Sequence, residues 1–421
     1  MEALSRLLLP RRTLLAGAGA AALAGALPRR AAAAAPRVAV RLEREIGFWL
    51  LEEGQKGFYR VAWAGPPADF DALRADAAQL ARYGLEPRPT GGGAELAAWE
   101  VRAAAWRFAA PEWATREASR ASHAPIPEPR VRDYRRAPTR VPGENWGGAY
   151  VRAIEGTRLS GIAAQWTVPA SLPRRPPARS QAGDAAADDF RCSHWIGLDG
   201  CDPNSRSLPQ CGTLRAFGDG AAEERGLWWQ WWIAGGAHQS GNLIEFAAEG
   251  SDPGRWQGIG AGDRVEARIT LPNPADRRTV RFWFRVDPAP RFAEPPIFLA
   301  FDVTLDATRT GQREFAIDVE GRVAEWVIER PMRPTEVMRK EGGRVDEWLY
   351  GLPVFDSVTF EACRTWLEDG SAGPDLRRAR SLRITDWSVR SDHGAVVARV
   401  EPPYPAPLEP SRVTILYTGP R

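Results

Sequence analysis

The chain has 421 residues, 44% of them hydrophobic and 26% charged, with a formal net charge of +3. That length suffices for two domains, or for one large β domain with attachments, and the apolar share suffices for a buried core. The small net charge gives no footing for a nucleic-acid partner, and four cysteines without CxxC spacing plus four scattered histidines leave no recognisable metal site, so no cofactor is expected.

Residues 1–35 read as a twin-arginine export signal. Arg11 and Arg12 precede an apolar stretch rich in Ala and Gly, Leu14–Leu27, and alanines at 31–35 offer A-x-A cleavage. The apolar run is shorter than the roughly 20 residues that a span needs. A cleaved signal is therefore expected rather than a membrane anchor, and the mature chain is expected to be secreted or periplasmic. That compartment permits disulfides. Cys201 and Cys211 bracket a turn-rich loop and offer one pairing, although four cysteines allow three connectivities and the sequence does not choose.

Residues 36–105 read as a small α+β unit. Val38–Leu42, Gly47–Leu51 and Phe58–Ala64 have strand composition. Asp69–Tyr83 is expected to be a helix, N-capped by Asp69, with Leu73, Ala77, Leu80 and Ala81 at helical spacing and Gly84 as its stop. Ala94–Ala105 is expected to return as a strand. Units of this size serve as pro-segments or recognition modules. Residues 106–142 read as an extended Arg/Pro-rich linker, with eight arginines from Arg107 to Arg140 against four acids.

From Gly143 onward, short strand-like runs are separated by Gly, Pro, Asp and Asn about every ten residues, among them Gly161–Val168, Arg264–Leu271, Thr279–Val286 and Ile297–Leu305. This texture predicts an all-β region, residues 143–421, built as an antiparallel sandwich or a closed sheet. Within it, Gly321–Pro331 reads as one strand. Alternation puts Glu325, Val327 and Glu329 on one face and Ala324, Trp326 and Ile328 on the other. The two glutamates have Cα atoms about 13 Å apart, too far for a carboxylate dyad. Either that face is simply wet, or Glu329 is a catalytic carboxylate in a groove. In Leu227–Trp232 the same alternation puts Trp228, Gln230 and Trp232 together.

Seven short motifs occur in order: Asn145-Trp146-Gly147-Gly148-Ala149, Trp166-Thr167-Val168-Pro169, Trp195-Ile196-Gly197-Leu198-Asp199-Gly200, Leu208-Pro209-Gln210-Cys211-Gly212, Leu227-Trp228-Trp229-Gln230-Trp231-Trp232, Gly262-Asp263-Arg264-Val265 and Ala324-Glu325-Trp326-Val327-Ile328-Glu329. In order and approximate spacing they resemble the eqolisins, the glutamic peptidases, over roughly Glu144–Val400. The resemblance implies an antiparallel two-sheet β-sandwich of concanavalin or jelly-roll type and a catalytic pair at Gln210 and Glu329. It implies substrate-binding residues at Trp146, Trp195 and Asp199, joined by Trp228 and Gln230. It also implies a zymogen with an N-terminal pro-segment, acidic working pH and polypeptide substrates. The chain departs from the family at Gln230, where a Glu is usual, and at Cys211, where a Thr is usual.

The chemistry is consistent with these residue types. Amide hydrolysis needs a base for water, a donor for the oxyanion and an acid for the leaving amine, and one carboxylate can serve as base and then acid. A primary amide supplies two N–H donors and one acceptor. The expectation is an exported, monomeric, pepstatin-insensitive acid endopeptidase. Two alternatives remain: a non-catalytic Trp-rich sandwich that binds glycans or peptides, and a glycoside hydrolase, which would need two carboxylates roughly 5–9.5 Å apart.

Overall fold

Alternating apolar side chains decide this architecture. In Arg264–Thr270 every second residue, Val265, Ala267 and Ile269, is wholly buried, and in the neighbouring strand Phe282 and Phe284 meet them from the same side. Period-two patterning with one face buried is what antiparallel pairing requires. The computed structural model describes residues 37–50, 55–113, 145–171, 190–202, 204–217, 224–233, 236–237, 242–247, 259–289, 295–306, 318–331, 351–386, 395–403 and 407–419.

The elements run β1 (Arg37–Leu42), β2 (Glu45–Leu50), β3 (Gln55–Trp63), α1 (Ala77–Arg82), α2 (Ala94–Ala105) and β4 (Arg107–Trp113). The all-β region follows with β5 (Trp146–Arg152), β6 (Leu159–Thr167), β7 (Phe190–Leu198), β8 (Ser207–Phe217), β9 (Glu224–Ile233), β10 (Gly236–Ala237) and β11 (Asn242–Ala247). It continues with β12 (Arg264–Thr270), β13 (Thr279–Asp287), β14 (Ile297–Asp306), β15 (Val323–Glu329), β16 (Ser357–Leu367), β17 (Arg380–Asp386), β18 (Ala395–Glu401) and β19 (Val413–Tyr417).

The pairings form a closed circuit. From β14 they pass through β13, β12, β6 and β16 to β19, β18, β17 and β5. They continue through β15, β7, β8, β9, β11, β1 and β4, and return to β14. β3, β2 and β10 branch from the second half of β14. The β1–β4 and β4–β14 pairs are parallel. The chain is mostly β as expected, and the sheet is barrel-like and nearly closed, not clearly divided into the two sheets of the expected sandwich. The main core, with Trp166, Trp229, Trp326 and Phe301 wholly or almost wholly buried, fills its interior.

Several local expectations change. Ala94–Ala105 is a helix, not a strand: it is rich in alanine, the best helix former, and Leu96, Trp99 and Ala103 fall on one face. The predicted helix at 69–83 is shorter and is capped by Asp76, whose carboxylate accepts from the Gln79 N–H at 2.7 Å in a capping box. Both helices pack on the outer side of β13 and β14, around Trp283 and Phe298. Part of the expected linker is strand β4, because Phe108 and Ala109 are buried; residues 114–142 lie outside the described residues. The turn-rich loop expected between Cys201 and Cys211 ends at Ser207, where the long strand β8 begins. The Cys201–Cys211 disulfide is not formed, and all four cysteines are buried. Cys211 belongs to the interior core and Cys201 to a cluster on the other face of the sheet.

One polar group inside the barrel carries a pH consequence. His194 is wholly buried, with Nδ1 at 3.3 Å from Thr213 Oγ1 and Nε2 at 3.5 Å from Cys192 Sγ. Burial, and secondarily the nearby Arg215 charge, lowers its pKa from 6.5 to about 3. The folded value lies below the unfolded one, so the unfolded chain takes this proton first as pH falls. The His194 contribution is whole above pH 6.5 and is lost progressively down to about 3, a difference on the order of 4 kcal/mol. Melting temperature is therefore expected to fall across that interval, and His194→Gln is expected to flatten the fall; a variant with the wild-type pH slope in calorimetry would contradict this origin.

Candidate functional site

Five neighbouring strands, β5, β15, β7, β8 and β9, build one wall of the barrel, and its side away from the interior holds the predicted residues. Register places them. Glu329 is opposite Trp146 on β5 and Ser193 on β7, and Val327 is opposite Gly148 and Trp195. Glu325 is opposite Tyr150 and Gly197, Gly197 is opposite Gln210, and Gln210 is opposite Gln230. Trp195 is opposite Gly212, and Gly212 is opposite Trp228. Three rows thus cross this face: Trp146–Glu329–Ser193, then Gly148–Val327–Trp195–Gly212–Trp228, then Tyr150–Glu325–Gly197–Gln210–Gln230. Trp146, Trp195 and Trp228 form a buried cluster here, separate from the main core.

Glu329 is the partly exposed end of an otherwise buried strand. Its Oε2 accepts the Trp195 indole N–H at 2.9 Å, and its Oε1 accepts from Asn145 Nδ2 at 3.3 Å. Both donors are neutral, and hydrogen bonds to a carboxylate favour its anionic form. The Asn145 carbonyl accepts from the Arg330 N–H at 2.9 Å, which fixes Asn145 beside the glutamate. Trp146 stands edge-on to Trp195, with centroids 4.8 Å apart and planes at 82°. Gly212 makes room for that indole: a Cβ there would lie 2.6 Å from the Trp195 Cβ and 2.1 Å from the His194 carbonyl oxygen.

Gln210 is mid-strand on β8 and only 4% exposed. Its Nε2 donates to Gln230 Oε1 at 2.5 Å, and its own Oε1 is buried with no hydrogen-bond partner among the described residues. Among the described residues the buried Trp228 indole nitrogen has no partner either. An unsatisfied acceptor in such a place costs on the order of 1–3 kcal/mol unless something fills it. Gln210 and Glu329 share a face but not a row. They are two strands and four residues apart, and the Trp195 row lies between them.

Two acidic residues have structural places. Glu325 is wholly buried, and its Oε1 accepts the Gly200 N–H at 2.7 Å. Asp199, expected to meet substrate, is 1% exposed and its carboxylate is committed to the chain itself. It accepts from the backbone N–H groups of Gly321 at 2.8 Å, Arg322 at 2.6 Å and Val323 at 3.3 Å. Burial pushes its pKa above the ordinary carboxylate value, against the pull of those three donors. Asp199 therefore positions β15. Asn145 is the site residue that sequence reasoning passed over. It stood in a quoted motif, and the signal was a primary amide beside a strand that pairs with the Glu329 strand.

Residues 144–280 match the model of the Peptidase A4 family. This stretch includes Asn145, Trp146, Trp195, Asp199, Gln210, Trp228 and Gln230, and ends before Glu329. Among solved structures, the chain is similar to scytalido-glutamic peptidase with a peptide-based transition-state analogue, at 16% identity and a TM-score of 0.42, covering 66% of this chain and 100% of that one. It is similar to SCP-B, a member of the eqolisin family of peptidases in complex with the tripeptide Ala-Ile-His, at 14% identity, TM-score 0.38 and coverage of 66% and 100%. It is also similar to aspergilloglutamic peptidase from Aspergillus niger, at 17% identity, TM-score 0.33 and coverage of 54% and 99%. No curated protein sequence matches the chain.

The Asp199 anchor has a measurable weight. Asp199→Ala is expected to strand three backbone donors and to lower unfolding free energy by about 3 kcal/mol or more. Asp199→Asn, which keeps one acceptor, should recover part of the loss in denaturant titration; an unchanged midpoint for Asp199→Ala would show that the three bonds do not hold β15.

Proposed function

We infer, for a chain whose residues 144–280 match the Peptidase A4 family model, that hydrolysis of polypeptides proceeds on the outer face of the β5–β15–β7–β8–β9 wall with Glu329 and Gln210 as the working pair. The observation that carries this reading is the environment of Glu329. It is a partly exposed carboxylate with both oxygens held by neutral donors, on the same sheet face as a buried primary amide whose oxygen has no partner among the described residues.

In the proposed reaction Glu329 takes a proton from a water that it holds, and Gln210, across the Trp195 row, meets the scissile peptide group. The resulting hydroxide attacks the scissile carbonyl carbon. Of the two N–H bonds on Gln210 Nε2, one is held by Gln230 Oε1, and the other is available to the oxyanion of the tetrahedral intermediate. Collapse breaks the C–N bond, and Glu329 returns its proton to the leaving amine. The neutral Gln230 orients the Gln210 amide as a carboxylate would, without adding negative charge to the site. The tryptophans exclude water and supply flat apolar walls for an extended peptide. None of these steps uses an aspartic dyad, so pepstatin-like inhibitors should not block the reaction.

The export reading belongs to the same proposal. The twin-arginine pattern of residues 1–35 would deliver a folded peptidase outside the cytoplasm; those residues lie outside the described residues. Among the described residues no helix is long and apolar enough to cross a membrane.

Glu329→Gln is expected to abolish casein cleavage at acidic pH while leaving the melting temperature within a few degrees of wild type. Gln210→Ala is expected to lower kcat by about 10²–10³, the size of a lost oxyanion donor. Cleavage by wild type should persist in pepstatin. Retained turnover in Glu329→Gln would remove the carboxylate from the mechanism.

A further inference from the structure

The sequence reading makes residues 36–105 a detachable pro-segment. An inhibitory segment must cover the working face, yet the described N-terminal strands are built into the sheet itself. β1 lies between β4 and β11 and closes the circuit, and β3 pairs with β14 from Phe301↔Trp63 to Asp306↔Phe58. Val40, Tyr59, Val61 and Ala109 are 5% exposed or less and belong to the same core as Trp229 and Phe301. Taking these strands away would uncover that core and leave β11 and the second half of β14 as open edges.

Tyr59 makes the connection specific. Its ring stacks on Trp231, with centroids 6.0 Å apart and planes at 22°, and stands edge-on to Trp229 at 6.5 Å and 82°. Its hydroxyl donates to the Trp231 carbonyl. Trp229 and Trp231 are the interior side of β9; between them, on the outer side, Gln230 holds Gln210. The N-terminal strands therefore back the site and do not plug it. Burial raises the Tyr59 phenol well above 10, so it remains a hydrogen-bond donor at any acidic or neutral pH.

We propose that residues 37–113 are a permanent part of the working enzyme, retained even where the chain is cut between them and Asn145, and that Tyr59 is a positioning residue for β9. The kinetic half of this proposal rests on the peptidase reading above; the retention half does not.

The test uses the full chain. After acid incubation, native size-exclusion chromatography with intact mass measurement should show residues 37–113 eluting with the rest of the protein. An active species lacking them would overturn retention. Tyr59→Phe keeps the ring and removes only the hydroxyl; it should lower kcat about two- to tenfold at unchanged KM and unchanged circular dichroism, with a larger loss for Tyr59→Ala. Wild-type kcat in Tyr59→Phe would overturn the positioning role. Absence of any turnover by wild type at any pH would sink the peptidase reading and Tyr59's kinetic role with it, while the elution profile still decides retention.

Discussion

Three backbone N–H groups on one buried carboxylate hold this molecule's chemistry in register. Asp199 lies at the end of β7 with a positive φ of 75°, a conformation Asp tolerates better than most residues, and grips Gly321, Arg322 and Val323 where β15 begins. Gly321 makes that start possible: at φ 69°, its Cβ position would lie 2.3 Å from the Leu159 carbonyl oxygen. In a strand, a slip of one residue exchanges the two faces. Here it would send Glu325 and Glu329 into the barrel and bring Trp326, whose indole donates to Ala163 O at 3.1 Å in the interior, out to the surface. The alternation that sets the site is thus enforced from one end of the strand, seven residues before the carboxylate that uses it.

The same wall serves two different clients. Its interior side carries Cys211, Thr213, Trp229, Trp231 and Trp326, and its outer side carries Trp146, Trp195, Gln210, Trp228 and Glu329. Burial on both sides explains why the strands are so rich in tryptophan. Of the 18 in the chain, some cement the barrel, some line the site, and Trp99 and Trp106 lock the helices to the back of β14. A wall packed on both faces moves little, and a rigid wall holds side chains within the narrow tolerance that catalysis demands.

Much of this was legible in the sequence because period-two alternation is a strong signal where one face is wet. β12 follows it, and alternation alone separates the face shared by Glu325, Val327 and Glu329 from that of Trp326. The signal fails where both faces are buried. β8 reads as a loop because Pro209 and Gly212 interrupt it and its burial is nearly continuous. It fails again for Ala94–Ala105, where a return strand was expected and alanine propensity with one buried stripe made a helix. Asp199 was placed in the right loop, but its task depended on where residues 321–323 fall in space, which spacing along the chain does not encode. The closed circuit was equally hidden, since β1 and β4 reach the rest of it through partners 190 or more positions away, such as Val40↔Phe246 and Arg107↔Ile297.

Acid places opposite demands on two buried groups of this wall. As pH falls from 6.5 toward 3, the fold progressively loses the contribution of His194, which is held neutral by burial and by Arg215. Asp199 runs the other way. Burial raises its folded pKa above 3.8, so the native state binds that proton before the unfolded chain does, and its contribution grows as pH falls and is complete below 3.8. The two contributions oppose each other as acid is added, and the buried carboxylate offsets part of what His194 loses. Glu329 stands apart from both, at the half-exposed edge of the wall with two neutral donors. Any working range of the proposed reaction is bounded on the acid side by the depth at which the barrel beneath the site still holds His194 without its proton.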